Sequence, residues 1–330
     1  MMFKTKLFCS LLLICIFSIV PSSADTELVK IPDIEFNPWL SFSQGDGINQ
    51  LLWLSDDNGG ILDGPFQGPM AFITDRNGNL WAGDTLNAKI TAYSSRGRLI
   101  KSVDLVKVAR SLKLASDPVL VDLCPGMPGK LLVGDAANNA VIEIDLRNAP
   151  ARVFSAADSK KNAWLQINRL HSDGSGNIYL EDVAMRRTIV LDKNGKPFGK
   201  PLEGQIGLAI AKNGRTAILA ADESGGKWRV LVSEKPNSPL RAFVSLIDDE
   251  PVIWASLQGY DALNRLHVIY DTPSSRYYLA ITADGSVVRK YQTAHPEPGY
   301  DPTVTDWVDA KGRLYKVRIT AANLEIMTLK

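Results

Sequence analysis

The stretch Asp75-Arg-Asn-Gly-Asn-Leu-Trp-Ala-Gly-Asp84-Thr-Leu-Asn87-Ala-Lys-Ile90 decides the fold, because related units recur along the chain about every 47 residues. Each unit has a turn containing Gly or Asn, followed by a short apolar strand. The period suits a four-stranded blade, so the sequence predicts an all-β, six-bladed β-propeller with antiparallel blades. The second strands of the six units end at Asp84, Asp135, Asp182, Asp222, Asp271 and Arg318.

The innermost strand of each blade is predicted to be the apolar run just before the turn. In the first unit this run is Met70–Thr74, and Asp75 begins the turn that follows it. A proline stands at or just before four of the six runs, where it removes no hydrogen bond from the sheet. The predicted inner strands are Met70–Thr74, Pro118–Leu123, Asn168–Ser172, Ile206–Ala211, Val252–Leu257 and Val304–Val308.

The two ends of the sequence predict how the ring closes. The last unit supplies three strands, the third of which is Leu324–Leu329. An apolar run ahead of the first unit, Gln50–Ser55, is the predicted fourth strand of that blade, and it would pair both free sheet edges. Outside the blades, Leu105–Leu114 is predicted to form a short surface helix.

The first 24 residues are predicted to be a secretory signal peptide. Lys4 and Lys6 precede an apolar run from Leu7 to Val20, and small residues ending at Ala24 supply the cleavage site. The run is short for a membrane span, which needs about 20 apolar residues. We therefore expect a propeller domain over residues 25–330, secreted or periplasmic, with no transmembrane segment. An uncleaved N-terminal anchor is the alternative interpretation.

Charge and cysteine content exclude several classes of function. The formal charge is +1, and it becomes −1 once the two lysines of the signal peptide are removed. This balance gives no reason to expect nucleic acid or an anionic membrane as a partner. Cys124 is the single cysteine beyond the signal peptide, so no intrachain disulfide is expected. Its place at the end of an apolar run predicts a buried, inert thiol rather than a reactive one.

The segment Gly68–Ile90 resembles the NHL repeat of the wider TolB-like six-bladed propellers. The shared pattern is a Pro, an apolar strand, an Asp, Gly-Asn, a second apolar strand and Asp-x-x-Asn-x-x-Ile, which here runs from Pro69 to Ile90. The second unit keeps Gly134, Asp135 and an Asn after them, and the other units keep less. The resemblance implies the fold over nearly the whole mature chain and does not imply one activity, since propellers host many functions.

The aspartates that end the second strands have two interpretations. In an NHL-like blade this Asp accepts amide protons of the loop after it, so an Asx-type turn is the expected role. A set of metal ligands is the alternative. Two turns that begin at Asp75 and Asp173 mimic the start of a calcium loop but lack its bidentate acid, and they are predicted to be hairpin turns. A zinc site of the three histidines has no support in their spacing; they are His171, His267 and His295.

The loops that enter the inner strands carry the remaining functional signal. In a propeller these loops meet at one mouth of the central channel, and aromatic and amide side chains there suit a ligand or partner. We therefore predict a binding or protein-interaction module without a cofactor, whose partner is a protein, a peptide or a carbohydrate. The alternative for the aromatic side chains is that they cap the core between blades. The predicted ligand-binding residues are Phe66, Gln67, Asp117, Trp164, Asn168, Gln205, Trp254 and Tyr300.

A calcium-dependent lactonase or esterase-like hydrolase is the alternative function. Six-bladed enzymes of that kind draw acidic and amide ligands from the channel ends of inner strands, and this resemblance would imply calcium as a cofactor. The comparable positions here hold one carboxylate among four polar side chains, which are Gln67, Asp117, Asn168 and Gln205.

Overall fold

Strand pairing in a computed structural model arranges the chain as six sheets in a ring, in the part of the chain that the structure describes. These described residues are 34–47, 49–54, 68–147, 151–155, 164–221, 227–235, 238–294, 306–319 and 323–329. The predicted signal peptide, residues 1–24, lies outside them. The all-β, six-bladed propeller with four-stranded antiparallel blades is confirmed.

Two strands and then three blades follow one another along the first part of the chain. Strands β1 (Phe36–Gln44) and β2 (Gln50–Leu51) come before the first blade. Blade 1 consists of β3 (Ala71–Thr74), β4 (Leu80–Asp84), β5 (Lys89–Tyr93) and β6 (Leu99–Asp104), and helix α1 (Leu105–Ser111) follows it. Blade 2 consists of β7 (Leu120–Pro125), β8 (Lys130–Asp135), β9 (Ala140–Asp145) and β10 (Arg152–Ser155). Blade 3 consists of β11 (Ile167–Ser172), β12 (Ile178–Asp182), β13 (Arg187–Leu191) and β14 (Leu202–Glu203).

The second half of the ring repeats this order. Blade 4 consists of β15 (Ala209–Ile210), β16 (Thr216–Ala221), β17 (Trp228–Ser233) and β18 (Arg241–Leu246). Blade 5 consists of β19 (Trp254–Tyr260), β20 (Leu266–Asp271), β21 (Ser275–Ile281) and β22 (Val287–Ala294). Blade 6 contains β23 (Asp306–Val308), β24 (Leu314–Ile319) and β25 (Asn323–Leu329), and β1 and β2 complete it.

Closure of the ring by an N-terminal strand is confirmed, but the strand is not the one that we predicted. β1 lies antiparallel to β25, with Phe36 opposite Leu329 and Ser43 opposite Asn323. Gln50 and Leu51 of the predicted run instead pair with β1, in parallel and on its far side. The apolar character of that run reflects burial, since Leu51 is fully buried and the nearby Trp53 is almost so. Ser55 lies outside the described residues.

Packing between neighbouring blades forms the core. Phe42 of the closing strand packs with Tyr93 of blade 1, their ring centres 4.8 Å apart, and belongs to one cluster with Leu324 and Ile326 of blade 6. The predicted surface helix is present as α1, which buries Leu105 and begins at the capping residue Asp104. No helix in the described ranges is long and apolar enough to cross a membrane.

Candidate functional site

The aspartates that end the second strands hold the loops of one face of the ring. Asp182 accepts the backbone N–H of Leu165 at 3.1 Å and that of Gln166 at 3.2 Å, both just before the inner strand of its own blade. Asp135 accepts the N–H of Val119 in the same way, at 3.0 Å. Each of these two aspartates has a fully buried side chain, so the bonds replace water that it has lost. In the loops that follow, Asp135 also accepts the N–H of Ala137 at 3.1 Å and Asp182 that of Met185 at 3.4 Å, so the expected Asx-type role is confirmed for these positions.

In blade 5 the equivalent aspartate, Asp271, forms a close ion pair with Arg276. The Arg276 guanidinium approaches Asp271 with Nε 2.7 Å from Oδ1, and its Nη1 lies 3.2 Å from Asp306 Oδ2 in blade 6. The guanidinium carbon is also 5.3 Å from the ring centre of Trp254. Arg276 therefore ties blade 5 to blade 6 and covers Trp254. Asp222, the equivalent residue of blade 4, lies outside the described residues.

The two calcium-like turns are hairpin turns, as expected. Asp75 Oδ1 accepts the N–H of Asn77 at 2.8 Å and of Asn79 at 2.9 Å. Asp173 Oδ1 accepts the N–H of Ser175 and of Asn177 in the same pattern. The oxygens that a calcium ion would require are thus acceptors for the turn itself.

The mouth of the central channel contains a cavity of about 310 Å³. We call it the mouth cavity; it lies where the loops before β11, β15 and β19 converge. Its wall contains both apolar and polar side chains, as in small-ligand and peptide sites. Its apolar lining residues are Val121, Val183, Ile206, Trp254 and Ala255, and its polar ones are Asp122, Asn168, Arg169, Glu181 and Ser256.

Register shifts in the inner strands β7 and β11 place residues at this cavity. In β7 the pairing with β8 skips Val121, so that Leu120 lies opposite Asp135 and Asp122 opposite Gly134. In β11 the pairing skips Asn168 in the same way. A bulge of this kind redirects a side chain and is frequent beside functional sites. Here it leaves Val121 and Asn168 at the cavity in equivalent positions of blades 2 and 3.

Glu181 is the most heavily bonded carboxylate of the mouth cavity. Its Oε1 lies 2.9 Å from His171 Nε2 and accepts the N–H of Leu208 at 2.9 Å, and its Oε2 accepts the N–H of Gly207 at 2.8 Å. Burial acts to raise the pKa of Glu181, but the contacts with His171, Arg169 and Gly207 outweigh it and hold the pKa below its usual value. Glu181 is therefore a charged anchor for the loop that enters blade 4.

Asp122 is a second buried carboxylate, with the opposite pKa behaviour. Its Oδ1 accepts the N–H of Leu123 at 2.8 Å, and its Oδ2 that of Leu170 at 2.7 Å in the next blade. Burial raises the pKa of Asp122 to about 6, although the Leu170 N–H and the charges of Arg169 and His171 act to lower it. Asp122 and Arg169 also line a second cavity of about 200 Å³ farther along the channel. The two residues thus separate the mouth from the channel interior.

The structure brings some of the predicted site residues together and leaves others apart. Asn168 and Trp254 line the mouth cavity, and Gln205 is half-buried next to its lining residue Ile206. Asp117 is exposed in the loop before β7 and does not line it. Trp164 is buried, and its indole N–H donates to the Asn139 carbonyl at 2.9 Å, so it belongs to the core. The remaining predicted positions lie outside the described residues: Phe66, Gln67 and Tyr300.

Sequence reasoning missed four polar lining residues of the mouth cavity, which are Asp122, Arg169, Glu181 and Ser256. Two sequence signals could have identified some of them. Asp122 is an acid inside an apolar inner strand, and Glu181 stands beside the aspartate that ends its blade's second strand. A buried acid of this kind must be hydrogen-bonded or raised in pKa, which is a reason to suspect a site.

The predicted inertness of Cys124 agrees with its surroundings, and two histidines have structural roles. Burial raises the pKa of the Cys124 thiol to about 12. His171 faces the channel beside Glu181, whereas His267 binds Asp261 at 3.1 Å and lines a separate cavity between blades 5 and 6. His295 lies outside the described residues. No group of three or more His, Cys, Asp or Glu side chains in the described ranges could hold a metal ion.

Comparison with known proteins supports the propeller fold. No protein-family model matches the chain, and no curated protein matches it. Among solved structures, a catalytically inactive variant of virginiamycin B lyase from Staphylococcus aureus, with quinupristin, has a TM-score of 0.51 at 10% identity, over 85% of this chain and 99% of that one. A gluconolactonase from Xanthomonas campestris has a TM-score of 0.48 at 14% identity, over 77% and 83% of the two chains. The calcium-binding protein regucalcin from Agrobacterium tumefaciens has a TM-score of 0.46 at 12% identity, over 79% and 92%. At such identities the likeness concerns the fold alone.

Proposed function

We propose that this protein is an exported, NHL-like β-propeller that acts as a binding module, with its ligand site at the mouth cavity. The observation that carries the proposal is a difference between two sets of side chains at the mouth. The carboxylates of Asp122 and Glu181 each accept backbone N–H groups through both oxygens, whereas Asn168 and Trp254 are exposed at the cavity. The former hold the loops in place, and the latter are available for contacts with a ligand.

The chemistry of the available side chains favours recognition over catalysis. An amide such as Asn168 both donates and accepts hydrogen bonds, and a fixed indole such as Trp254 gives a large contact area at low entropic cost. His171 has one ring nitrogen at 2.9 Å from Glu181, and burial raises the pKa of Cys124, the free thiol among the described residues, to about 12. A rigid mouth with a few polar contacts suits non-covalent binding.

Export and family assignment form part of the proposal. The basic residues Lys4 and Lys6, the apolar run after them and the small residues ending at Ala24 support cleavage of a signal peptide. The segment Pro69–Ile90 supports placement with the NHL-type propellers. N-terminal sequencing of exported protein tests the first part, and a first residue other than Asp25 would contradict it.

Within the part of the chain that the structure describes, the residues do not fit the alternative of a calcium-dependent lactonase. Calcium prefers several charged oxygens, and Asp117, the carboxylate expected to provide one, is exposed away from the mouth cavity. Asp122 and Glu181 are closer to the channel, but backbone donors already occupy their oxygens. A metal site here would require these bonds to be exchanged for coordination.

The proposed function is tested by measuring binding to immobilised panels of glycans and peptides. Asn168→Ala and Trp254→Ala should weaken binding about tenfold or more while the melting temperature stays nearly unchanged. Asn194→Ala, in an exposed turn on the opposite face, is the matched control and should bind normally. Loss of binding in the control alone would refute a mouth site. Stoichiometric calcium in purified protein, with lactone hydrolysis that depends on Asp117, would replace the proposal by the enzyme alternative.

A further inference from the structure

Large exposed apolar side chains lie on the loops next to residues that line the mouth cavity. They lie on two loop systems, one in blade 3 and the other in the loop that leads into blade 5. Isolated exposed apolar residues are ordinary, but several on one face next to a cavity indicate an interaction surface. We call this group the apolar rim; its members are Leu165, Met185, Ile247 and Ile253, exposed by 64%, 46%, 77% and 53%.

Hydrogen bonds fix the backbone beneath three of the four rim residues. The N–H of Leu165 donates to Asp182 Oδ2 at 3.1 Å, and that of Met185 approaches the other oxygen at 3.4 Å. The N–H of Ile253 donates to the Asp271 carbonyl at 2.8 Å. These bonds hold the backbone of the apolar rim in place, so a partner would bind a largely preformed surface.

Trp254 is a fixed aromatic anchor at the inner edge of this rim. Its side chain is 41% exposed, and Arg276, itself held by Asp271 and Asp306, covers one of its faces. Tryptophan in such a setting often dominates the energy of protein interfaces, and methionine and arginine are also enriched there. An aliphatic rim around an aromatic anchor matches apolar side chains better than sugar hydroxyls, because hydroxyls would lose water without gaining partners.

The loop that carries Ile247 and Ile253 also carries three consecutive acids. Asp248 is occupied by Tyr270 Oη at 2.6 Å and Lys290 Nζ at 3.1 Å, and Glu250 is occupied by Ser274. Asp249, between them, is exposed. A basic side chain of a partner would complement this position, which affects the rate and the specificity of association more than its final affinity.

We propose that the mouth face binds a polypeptide segment in which apolar side chains stand next to a lysine or arginine. The inference rests on the binding function proposed above and names the partner of the same site. An apolar side chain of the segment packs on Trp254 and the rim, the basic side chain lies near Asp249, and backbone amides of the segment meet Asn168 and Ser256 at the cavity.

The test is a positional-scanning library of soluble 12-residue peptides, read by fluorescence anisotropy, beside a glycan panel. The selected peptides should combine apolar and basic positions. Trp254→Ala should weaken the best peptide about tenfold or more, and Leu165→Ala about threefold. Asp249→Asn should weaken it about threefold at low salt and by less at high salt. Leu263→Ala removes a similarly exposed leucine from an opposite-face turn and should leave peptide binding unchanged.

The other outcomes separate this inference from the function on which it rests. If glycans alone bind, and Trp254→Ala abolishes that binding, the mouth is a binding site but the polypeptide inference is wrong. If acidic or purely polar peptides are selected, the inference is also overturned. If the protein self-associates and Leu165→Ala abolishes the association, the rim's partner is a second copy of this chain and not a peptide segment. If ligands bind and every mouth variant binds them normally, both proposals fail.

Discussion

At the scale of single residues, Trp164 and Trp254 show how one residue type plays two roles at the same face. Trp164 lies in the loop before β11 and Trp254 is the first residue of β19, but Trp164 is buried and Trp254 is 41% exposed. We predict that Trp164→Ala lowers the free energy of unfolding by about 3–5 kcal/mol, as expected for a large cavity. Trp254→Ala should lower it by less than about 1 kcal/mol. Urea titration of both variants measures the difference, and equal losses would contradict the assignment.

Asp182 is expected to affect both the stability of the fold and the binding of a ligand. Asp182→Ala removes the acceptor of the Leu165 and Gln166 N–H groups and the ion-pair partner of Arg187. We predict a loss of about 1–3 kcal/mol in the free energy of unfolding, together with weaker binding, because Leu165 belongs to the apolar rim.

Asp192→Ala is the control for Asp182→Ala. Asp192 also accepts two turn N–H groups, those of Asn194 and Lys196, but it is half-buried whereas Asp182 is fully buried, so water can replace it more easily. Its loss should cost less stability and leave binding unchanged. Thermal unfolding compares the stability of the two variants, and peptide anisotropy compares their binding. A greater effect at Asp192 would show that Asp182 does not hold the loop in place.

At the scale of elements, the closing strand β1 should control the integrity of the ring. Phe42 in β1 packs on Tyr93 of blade 1 and is 3% exposed, so it joins the first and last blades. Phe42→Ala should lower the free energy of unfolding by about 3–5 kcal/mol. Ser41→Ala, one residue away and exposed, should change it by less than about 0.5 kcal/mol. If the two variants unfold at the same urea concentration, β1 does not close the core.

The closing strand also shows where sequence reasoning reached its limit. The blade strands were predictable because turn residues and apolar runs recur together, as in Met70–Thr74 and Asp75–Gly78. β1 contains Pro38 at a register shift and exposes much of its length, so it lacks the pattern of a buried strand. The run Gln50–Ser55 has that pattern, but Leu51 owes its apolar character to packing in the core cluster shared by blades 1 and 6. Tertiary contacts, which local patterns do not contain, decided between the two segments.

At the scale of the whole molecule, the fold was more predictable than the site. The repeat specifies one kind of blade six times, whereas the mouth cavity depends on where blades 2, 3, 4 and 5 differ from one another. Register shifts next to Asp122 and Arg169 place these residues at the channel, and a shift of that kind leaves no local sequence signature. The amide Asn168 was found because it occupies the equivalent end of an inner strand, but its charged neighbours were not.

The pH dependence of the free energy of unfolding should reflect the two buried carboxylates of the channel. Burial raises the pKa of Asp122 to about 6, above its usual 3.8, so the folded protein holds a proton between these values that the unfolded chain releases. This contribution to stability is present below about pH 4 and is lost as the pH rises through 6. Glu181 has the opposite sign, because its pKa lies below the usual 4.5 and its contribution is lost on acidification below that range.

The two carboxylates therefore act in different pH windows, and Asp122→Asn isolates the upper one. When the pH is raised from 4.5 to 7, the free energy of unfolding of the wild-type protein should fall by about 2 kcal/mol more than that of the variant. Each protein is compared with itself at the two pH values. This comparison cancels any constant cost of the amide, which can accept a bond from only one of the Leu123 and Leu170 N–H groups. Urea unfolding at the two pH values measures it. An equal pH response in the two proteins would mean that Asp122 is ionised throughout and that Arg169 and His171 compensate fully for its burial.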